Sequence, residues 1–303
     1  MTTFQKNQFH GATDVGCVRS GNEDCFMIME TGKPPSDLNP SSVFQVSGGI
    51  EMFAAVSDGM GGAAAGEVAS STALITLADF VAANAQDLEK ASPRETVKIM
   101  EKGVHEANQA IFAKSQEIAN RRGMGATITA CYLKADVLYM FQIGDSRAYV
   151  LRENRLIRVT RDQSFVGHLV EMGTITEEQA MRHPQRNVIL QALGTQEKLK
   201  VDVSYLPLCK GDLVIVCSDG LYGEFLPDQL EKLVIGHMDD ELEDIVAVLL
   251  EEAKRAGGKD NITVIGLRVS DDLPEREPGE EARYRPFYDL DRDNPLDRPN
   301  LIH

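Results

Sequence analysis

Val56-Ser57-Asp58-Gly59-Met60-Gly61-Gly62 places a carboxylate at the end of an apolar run and follows it at once with glycines. Met52 to Val56 reads as a short buried strand. Gly59, Gly61 and Gly62 read as a turn whose backbone can approach a ligand or ion closely. The same order recurs where Val137 to Ile143 runs into Gly144-Asp145-Ser146-Arg147, and where Leu213 to Cys217 runs into Ser218-Asp219-Gly220. Asp260-Asn261 instead precedes the apolar run Ile262 to Val269. With that last strand antiparallel to the others, Asp58, Asp145, Asp219 and Asp260 meet at one rim of a sheet system.

A single Asp-Gly at a strand end is ordinary turn chemistry. Four aspartates at apolar strand ends, with Glu23-Asp24 in a polar loop between two further strands, point instead to a cation site. A cluster rich in oxygen and poor in His and Cys suits hard cations, Mg²⁺ or Mn²⁺, rather than zinc. Arg19, just ahead of Glu23-Asp24, can fork onto a phosphate.

The rest of the chain supplies a scaffold. Phe9 to Val18 and Cys25 to Glu30 read as strands, and Thr31 to Gly49 as a surface excursion. Gly66 to Phe80 is helical, and Ser92-Pro93-Arg94-Glu95 is a capping box ahead of the stripe Val97, Met100, Val104, Ala107, Ile111. Thr127 to Lys134, Val137 to Ile143, Arg147 to Leu151 and Arg155 to Val159 form an antiparallel meander by their short links. Residues 161–194 interrupt it as a flap with two short helices, one capped by Thr176 and Gln179. Lys200 to Pro207 and Leu213 to Cys217 resume the sheet, and Asp240 with Glu243 caps a helix that Gly257-Gly258 ends. One domain then spans 1–270. The tail 271–303, with ten acidic and five basic residues and five prolines, is expected to be disordered or docked on it.

Composition narrows the partners. Of 303 residues 43% are hydrophobic, enough for a sizeable core, and the net charge of −16 argues against nucleic acid. Bound cations reverse the local field of an acidic cleft, so a phosphorylated substrate remains compatible. Five cysteines without a CxxC pair indicate buried thiols rather than disulfides or zinc. No basic-then-apolar leader or long uninterrupted apolar run occurs, so a cytoplasmic monomer without a membrane partner is expected.

Thr13-Asp14-x-Gly16-x-x-Arg19-x-x-Asn22-Glu23-Asp24, Asp58-Gly59-Met60-Gly61-Gly62, Gly125-Ala126-Thr127, Gly144-Asp145-Ser146-Arg147, Ser218-Asp219-Gly220-Leu221 and Asp260-Asn261-Ile262-Thr263 together resemble the metal-dependent protein phosphatases of type 2C. His183-Pro184-Gln185-Arg186-Asn187 with Ala192-Leu193-Gly194 resembles the bacterial branch. The resemblance implies an α+β fold, a four-layer αββα sandwich of two antiparallel β-sheets flanked by pairs of helices. It implies a serine/threonine phosphoprotein phosphatase that uses two Mn²⁺ or Mg²⁺ ions and a third, looser one, and hydrolyses phosphomonoesters through a metal-bridging water. Asp58 would bridge the two ions, the Gly59 carbonyl would bind one, and Asp219 and Asp260 the other. Glu23 and Asp24 would act through water, Asp145 would hold the third ion, and Arg19 would bind the substrate phosphate. Substrates would be proteins phosphorylated on Ser or Thr, including a kinase or its targets. The alternatives are a silent phosphoprotein-binding module, which the full carboxylate set disfavours, and a phosphatase of small molecules. Met60 stands where many relatives carry a His and cannot donate a proton. Gln163 stands where bacterial relatives often carry a His, and reads as a flap anchor.

Overall fold

The computed structural model describes residues 6–35, 37–39, 44–46, 50–117, 123–275 and 282–287. Two antiparallel sheets carry the strands. The first runs β3(Phe44–Val46), β1(Asn7–Asp14), β12(Ile262–Arg268), β11(Leu213–Cys217), β8(Arg147–Arg152), β9(Arg155–Arg158). The second runs β10(Asp202–Pro207), β7(Val137–Ile143), β6(Ile128–Lys134), β4(Met52–Met60), β2(Asp24–Glu30), with β5(Gly125–Ala126) paired to the end of β4.

Strands such as β4 read as unbroken apolar runs because both their faces are covered. Met52, Ala54 and Val56 pack between the sheets with Phe9, Phe26, Ile28, Ile265 and Leu267. Phe53 and Ala55, on the opposite face, pack under α1(Ala63–Ala83) and α3(Pro93–Glu117). The outer face of the first sheet is covered by α7(Pro227–His237) and α8(Leu242–Ala256), through Leu230, Val234, Val246 and Leu249. The result is the expected four-layer αββα sandwich.

Helix α1 is long and apolar enough to cross a membrane, yet 61% of that window is buried inside the fold. Its Ala65, Ala69 and Ala73 let it lie close on the second sheet, as a core helix. Helix α3 begins as the sequence indicates: Ser92 N–H donates to Glu95 Oε2 at 2.8 Å, and Val97, Met100, Val104, Ala107 and Ile111 are buried.

Several local expectations are corrected. Strand β4 continues through Met60, so Gly59 is strand backbone, and only Gly61 and Gly62 adopt positive φ, at 115° and 92°. The run of strands from β6 to β9 is not one meander. β6 pairs β7 in one sheet and β8 pairs β9 in the other, with the crossover at Gly144-Asp145-Ser146. Phe44–Val46, inside the expected excursion, is an edge strand on β1. Asp240 does not cap α8. Its Oδ2 accepts from His237 Nδ1 at 2.7 Å, and Glu241 occupies the cap position without a side-chain bond. Cys17 is exposed, whereas Cys25, Cys131, Cys209 and Cys217 are buried.

The chain also remains packed beyond Ser270. Phe287 N–H donates to Val203 O at 2.9 Å, Tyr205 N–H donates to Arg285 O at 3.1 Å, and Ser204 bridges Pro286. Residues 282–287 thus cover the open edge of β10, with Phe287 only 2% exposed between Tyr139 and Tyr205. Of the two states expected for the tail, this stretch takes the docked one. Residues 276–281 and 288–303 lie outside the described residues.

Candidate metal centre

Alternation along the strands decides where the carboxylates point. Asp58 shares the face of Met52, Ala54 and Val56, and Asp24 that of Phe26 and Ile28, so both project into the inter-sheet layer at the end where the sheets part. Asp24 and Asp58 are register partners of β2 and β4. Asp219 opens the short helix α6(Asp219–Tyr222) directly after β11, Asp145 sits in the sheet crossover after β7, and Asp260 immediately precedes Asn261 and β12.

One cleft of about 240 Å³ collects them. Asp58, Asp145, Asp219 and Asp260 all line it, with Arg19, Glu23, Gly59, Met60, and Asn187 and Ile189 of the flap. The four strand-end aspartates therefore do meet at one rim. Asp24 does not line the cleft. It is 5% exposed beneath it, and its Oδ2 accepts the Ser218 hydroxyl at 2.6 Å. Arg19 is half exposed and its guanidinium donates to Asp260 Oδ2 at 2.7 Å, so the expected phosphate binder is paired with an expected metal ligand.

The electrostatics of this cluster are unfavourable as it stands. Loss of hydration, reinforced by neighbouring carboxylates, pushes Asp24 up to about 7, Asp145 to about 8 and Asp219 to about 6. Asp58 is driven well above the usual carboxylate range, first by desolvation and then by Asp24, Asp219, Asp145 and Asp260. Asp219 Oδ1 is buried and has no hydrogen-bond partner among the described residues. Among the described residues no three His, Cys, Asp or Glu side chains form a ready-made cage. The carboxylates instead surround the cleft from separate strand ends. An orphaned carboxylate oxygen and so many carboxylates facing one half-exposed guanidinium are the conditions that a hard divalent cation relieves. The residues therefore fit such an ion.

Other residues hold the carboxylates in place, and they belong to the same motifs. Thr127 brackets Asp58: its N–H donates to Asp58 O at 2.8 Å, and its Oγ1 accepts the Asp58 N–H at 3.1 Å. That hydroxyl also bonds Ser146 Oγ at 2.7 Å, linking β4 to the crossover that carries Asp145. Asn261 accepts the Glu23 N–H at 2.8 Å and donates to Val15 O and Gly21 O, closing the Arg19 loop onto β12. Ser146 and Asn261 adjoin aspartates at strand ends, which is a signal in the sequence; Thr127 adjoins none, and only the fold brings it to Asp58.

Gly59 is required for a reason other than flexibility: a Cβ there would lie 2.1 Å from Gly66 O, so its absence lets α1 rest on β4. Gly66 in turn leaves room for Glu23, whose Oε2 lies 1.9 Å from where a Gly66 Cβ would be. Gln163 anchors the flap: its N–H donates to Gly144 O at 2.8 Å and its Oε1 accepts the Gly144 N–H at 3.0 Å. Met60 lines the cleft and brings no proton donor.

Comparison with known proteins agrees with this architecture. Residues 32–259 match the family model for protein phosphatase 2C. The chain is 32% identical over 264 residues to the serine/threonine phosphatase stp of Listeria monocytogenes serotype 4b (strain F2365), covering 87% of this chain and 96% of that protein. It superposes on the serine/threonine phosphatase Stp1 of Staphylococcus aureus with a TM-score of 0.73 at 27% identity, covering 89% and 96% of the two chains. It superposes with a TM-score of 0.69 at 29% identity, over 88% of this chain and 99% of the other, on the catalytic domain of the serine threonine protein phosphatase PstP, solved with 2 manganese ions. The sandwich, the acidic cleft and these matches converge: the chain belongs to the protein phosphatase 2C family of metal-dependent serine/threonine phosphatases, in its bacterial branch.

Proposed function

We propose that the chain removes phosphate from phosphoserine and phosphothreonine in proteins at the Asp58 cleft, with two divalent cations, Mn²⁺ or Mg²⁺, and a third held more loosely. The observation that carries this reading is the meeting of Asp58, Asp145, Asp219 and Asp260, from four separate strand ends, in one cleft. Bound cations supply activation of water and compensation of phosphoryl charge.

The chain's own groups divide the remaining work. Asp58, the Gly59 carbonyl, Asp219 and Asp260 would hold the principal ions, Glu23 and Asp24 would support them, and Asp145 with Asp219 would hold the third. Arg19, which pairs with Asp260 at the edge of the cleft, would orient the phosphate oxygens through its forked donors. Thr127 and Asn261 fix the backbone beneath these groups, so little reorganisation is needed during reaction. Asn187 and Ile189 bring the flap over the cleft beside the incoming polypeptide. A cytoplasmic monomer whose partners are a kinase or its targets, without nucleic acid or membrane, is part of the proposal; the net charge of −16 supports the exclusion of nucleic acid.

The test is hydrolysis of para-nitrophenyl phosphate and of a phosphothreonine peptide in Mn²⁺, Mg²⁺ or EDTA. Turnover in either cation and none in EDTA is expected. Undiminished turnover in EDTA would overturn the reading.

A further inference from the structure

Beside the acidic cleft, between the flap and the segment that follows β11, lies a second cavity of about 210 Å³. Its walls are mainly apolar: Tyr149, Leu156, Met181, Tyr222, Phe225 and Leu230. The charged groups at its edge offset one another. Arg147 Nη2 lies 2.6 Å from Asp162 and 3.4 Å from Glu177, and Arg158 lies 2.9 Å from Glu177 and 3.3 Å from Asp162. Two arginines against two carboxylates leave no surplus charge to recruit an ion.

One wall is also tied in place by polar contacts. The Arg147 guanidinium stacks on the Tyr222 ring at 3.7 Å and donates to Tyr149 Oη at 3.0 Å, while the Tyr222 hydroxyl donates to Asp145 O at 3.0 Å. That wall therefore keeps its shape without a ligand. Arg147, Glu177, Met181 and Tyr222 also line a recess of about 90 Å³, which Asp145, Asn187 and Asp219 share with the acidic cleft. The apolar pocket and the metal centre are thus ends of one continuous surface.

Resting on the phosphatase reading, we infer that this pocket takes one large apolar side chain, aromatic or long aliphatic, of the phosphoprotein substrate, a few residues from the phosphorylated Ser or Thr. Volume selects that occupant: a cavity of about 150 Å³ already holds a benzene ring, whereas sites for whole small molecules begin near 300 Å³. The neutral rim disfavours an anion, and continuity with the cleft ties the occupant to the chain that carries the phosphate. Leu156 and Phe225 belong to this pocket and are absent from the lining of the acidic cleft, so binding of the flanking residue can be changed without touching the metal centre.

The test uses the full chain with Mn²⁺ and phosphothreonine peptides in which a single Phe is moved along an otherwise Gly/Ser background. One Phe position should raise kcat/KM on the order of ten-fold over the Phe-free peptide, the scale expected for burying an aromatic side chain. Leu156→Trp and Phe225→Trp, which fill the pocket from two sides, should each abolish that gain while para-nitrophenyl phosphate hydrolysis stays at the wild-type rate. A wild type that hydrolyses para-nitrophenyl phosphate but shows no favoured Phe position overturns the pocket assignment alone, as does a gain that survives in both folded variants. A wild type without metal-dependent hydrolysis overturns the phosphatase reading and the pocket with it.

Discussion

Asp24 and Asp58 are directly opposed across β2 and β4, two carboxylates on one face of neighbouring strands at the end of an otherwise apolar layer. Like charges opposed in a sheet destabilise it. The arrangement trades stability of the ion-free fold for affinity toward cations.

That trade makes Asp58→Asn a variant with opposite effects. Hydrolysis of para-nitrophenyl phosphate in Mn²⁺ should fall at least a hundredfold, on the order of 3 kcal/mol in the barrier. In EDTA the same variant should melt higher than wild type, on the order of 2 °C, because a carboxyl that loses hydration among other carboxylates is replaced by a neutral amide. A variant that melts lower in EDTA would show that Asp58 is held by favourable contacts instead.

The pH dependence follows from the same cluster. Asp24, Asp145 and Asp219 have folded-state values of about 7, about 8 and about 6 against 3.8 for a free Asp, so the folded state binds protons more tightly. Their contribution is then fully present below pH 3.8 and is lost as pH rises through about 6 to 8. Thermal melts in EDTA should accordingly show stability falling from pH 5 to pH 8, and the increment gained on adding Mn²⁺ should grow over the same interval. A flat profile in EDTA would contradict the repulsive cluster.

Thr127→Val removes the hydroxyl that joins the Asp58 N–H to Ser146 while keeping the shape of the side chain. Leaving those buried partners unsatisfied should cost about 1–3 kcal/mol in chemical denaturation. Activity per folded molecule should fall about tenfold, through kcat more than KM, because Asp58 is loosened rather than removed. Unchanged kcat in a folded Thr127→Val variant would separate this anchor from catalysis.

Phe287→Ala tests the docked tail. The ring is 2% exposed and meets Tyr139 and Tyr205 edge-on at 6.1 and 5.8 Å, so its truncation should cost about 3–5 kcal/mol in a denaturant titration. The Tyr284 ring lies 4.8 Å beneath the Arg161 guanidinium, and Arg161 pairs with Glu171 of the flap at 2.8 Å. Ending the chain at residue 275 should therefore also raise KM for a phosphopeptide. Equal stability and equal KM in the shortened chain would reduce the tail to a tether.

The sequence by itself determined the strand-end aspartates and their order, because local chemistry suffices for each, an Asp beside an apolar run and a small or polar neighbour, and the motifs built on them carry the family resemblance. Helix α3 and the cap at Thr176 were legible for the same reason, since their signals lie within a few residues. Helix α7 is not legible although Pro227 stands at its start, because its stripe is short and its packing partners lie in β9 and α8. Only the tertiary structure decided what depends on distant partners. It set Asp24 under Ser218, turned Arg19 onto Asp260 across 241 residues, made Gly59 a seat for α1, and sent the chain from one sheet to the other at Asp145. It also placed Phe287 against β10, because a tail of acidic residues and prolines carries no local sign that an open strand edge awaits it.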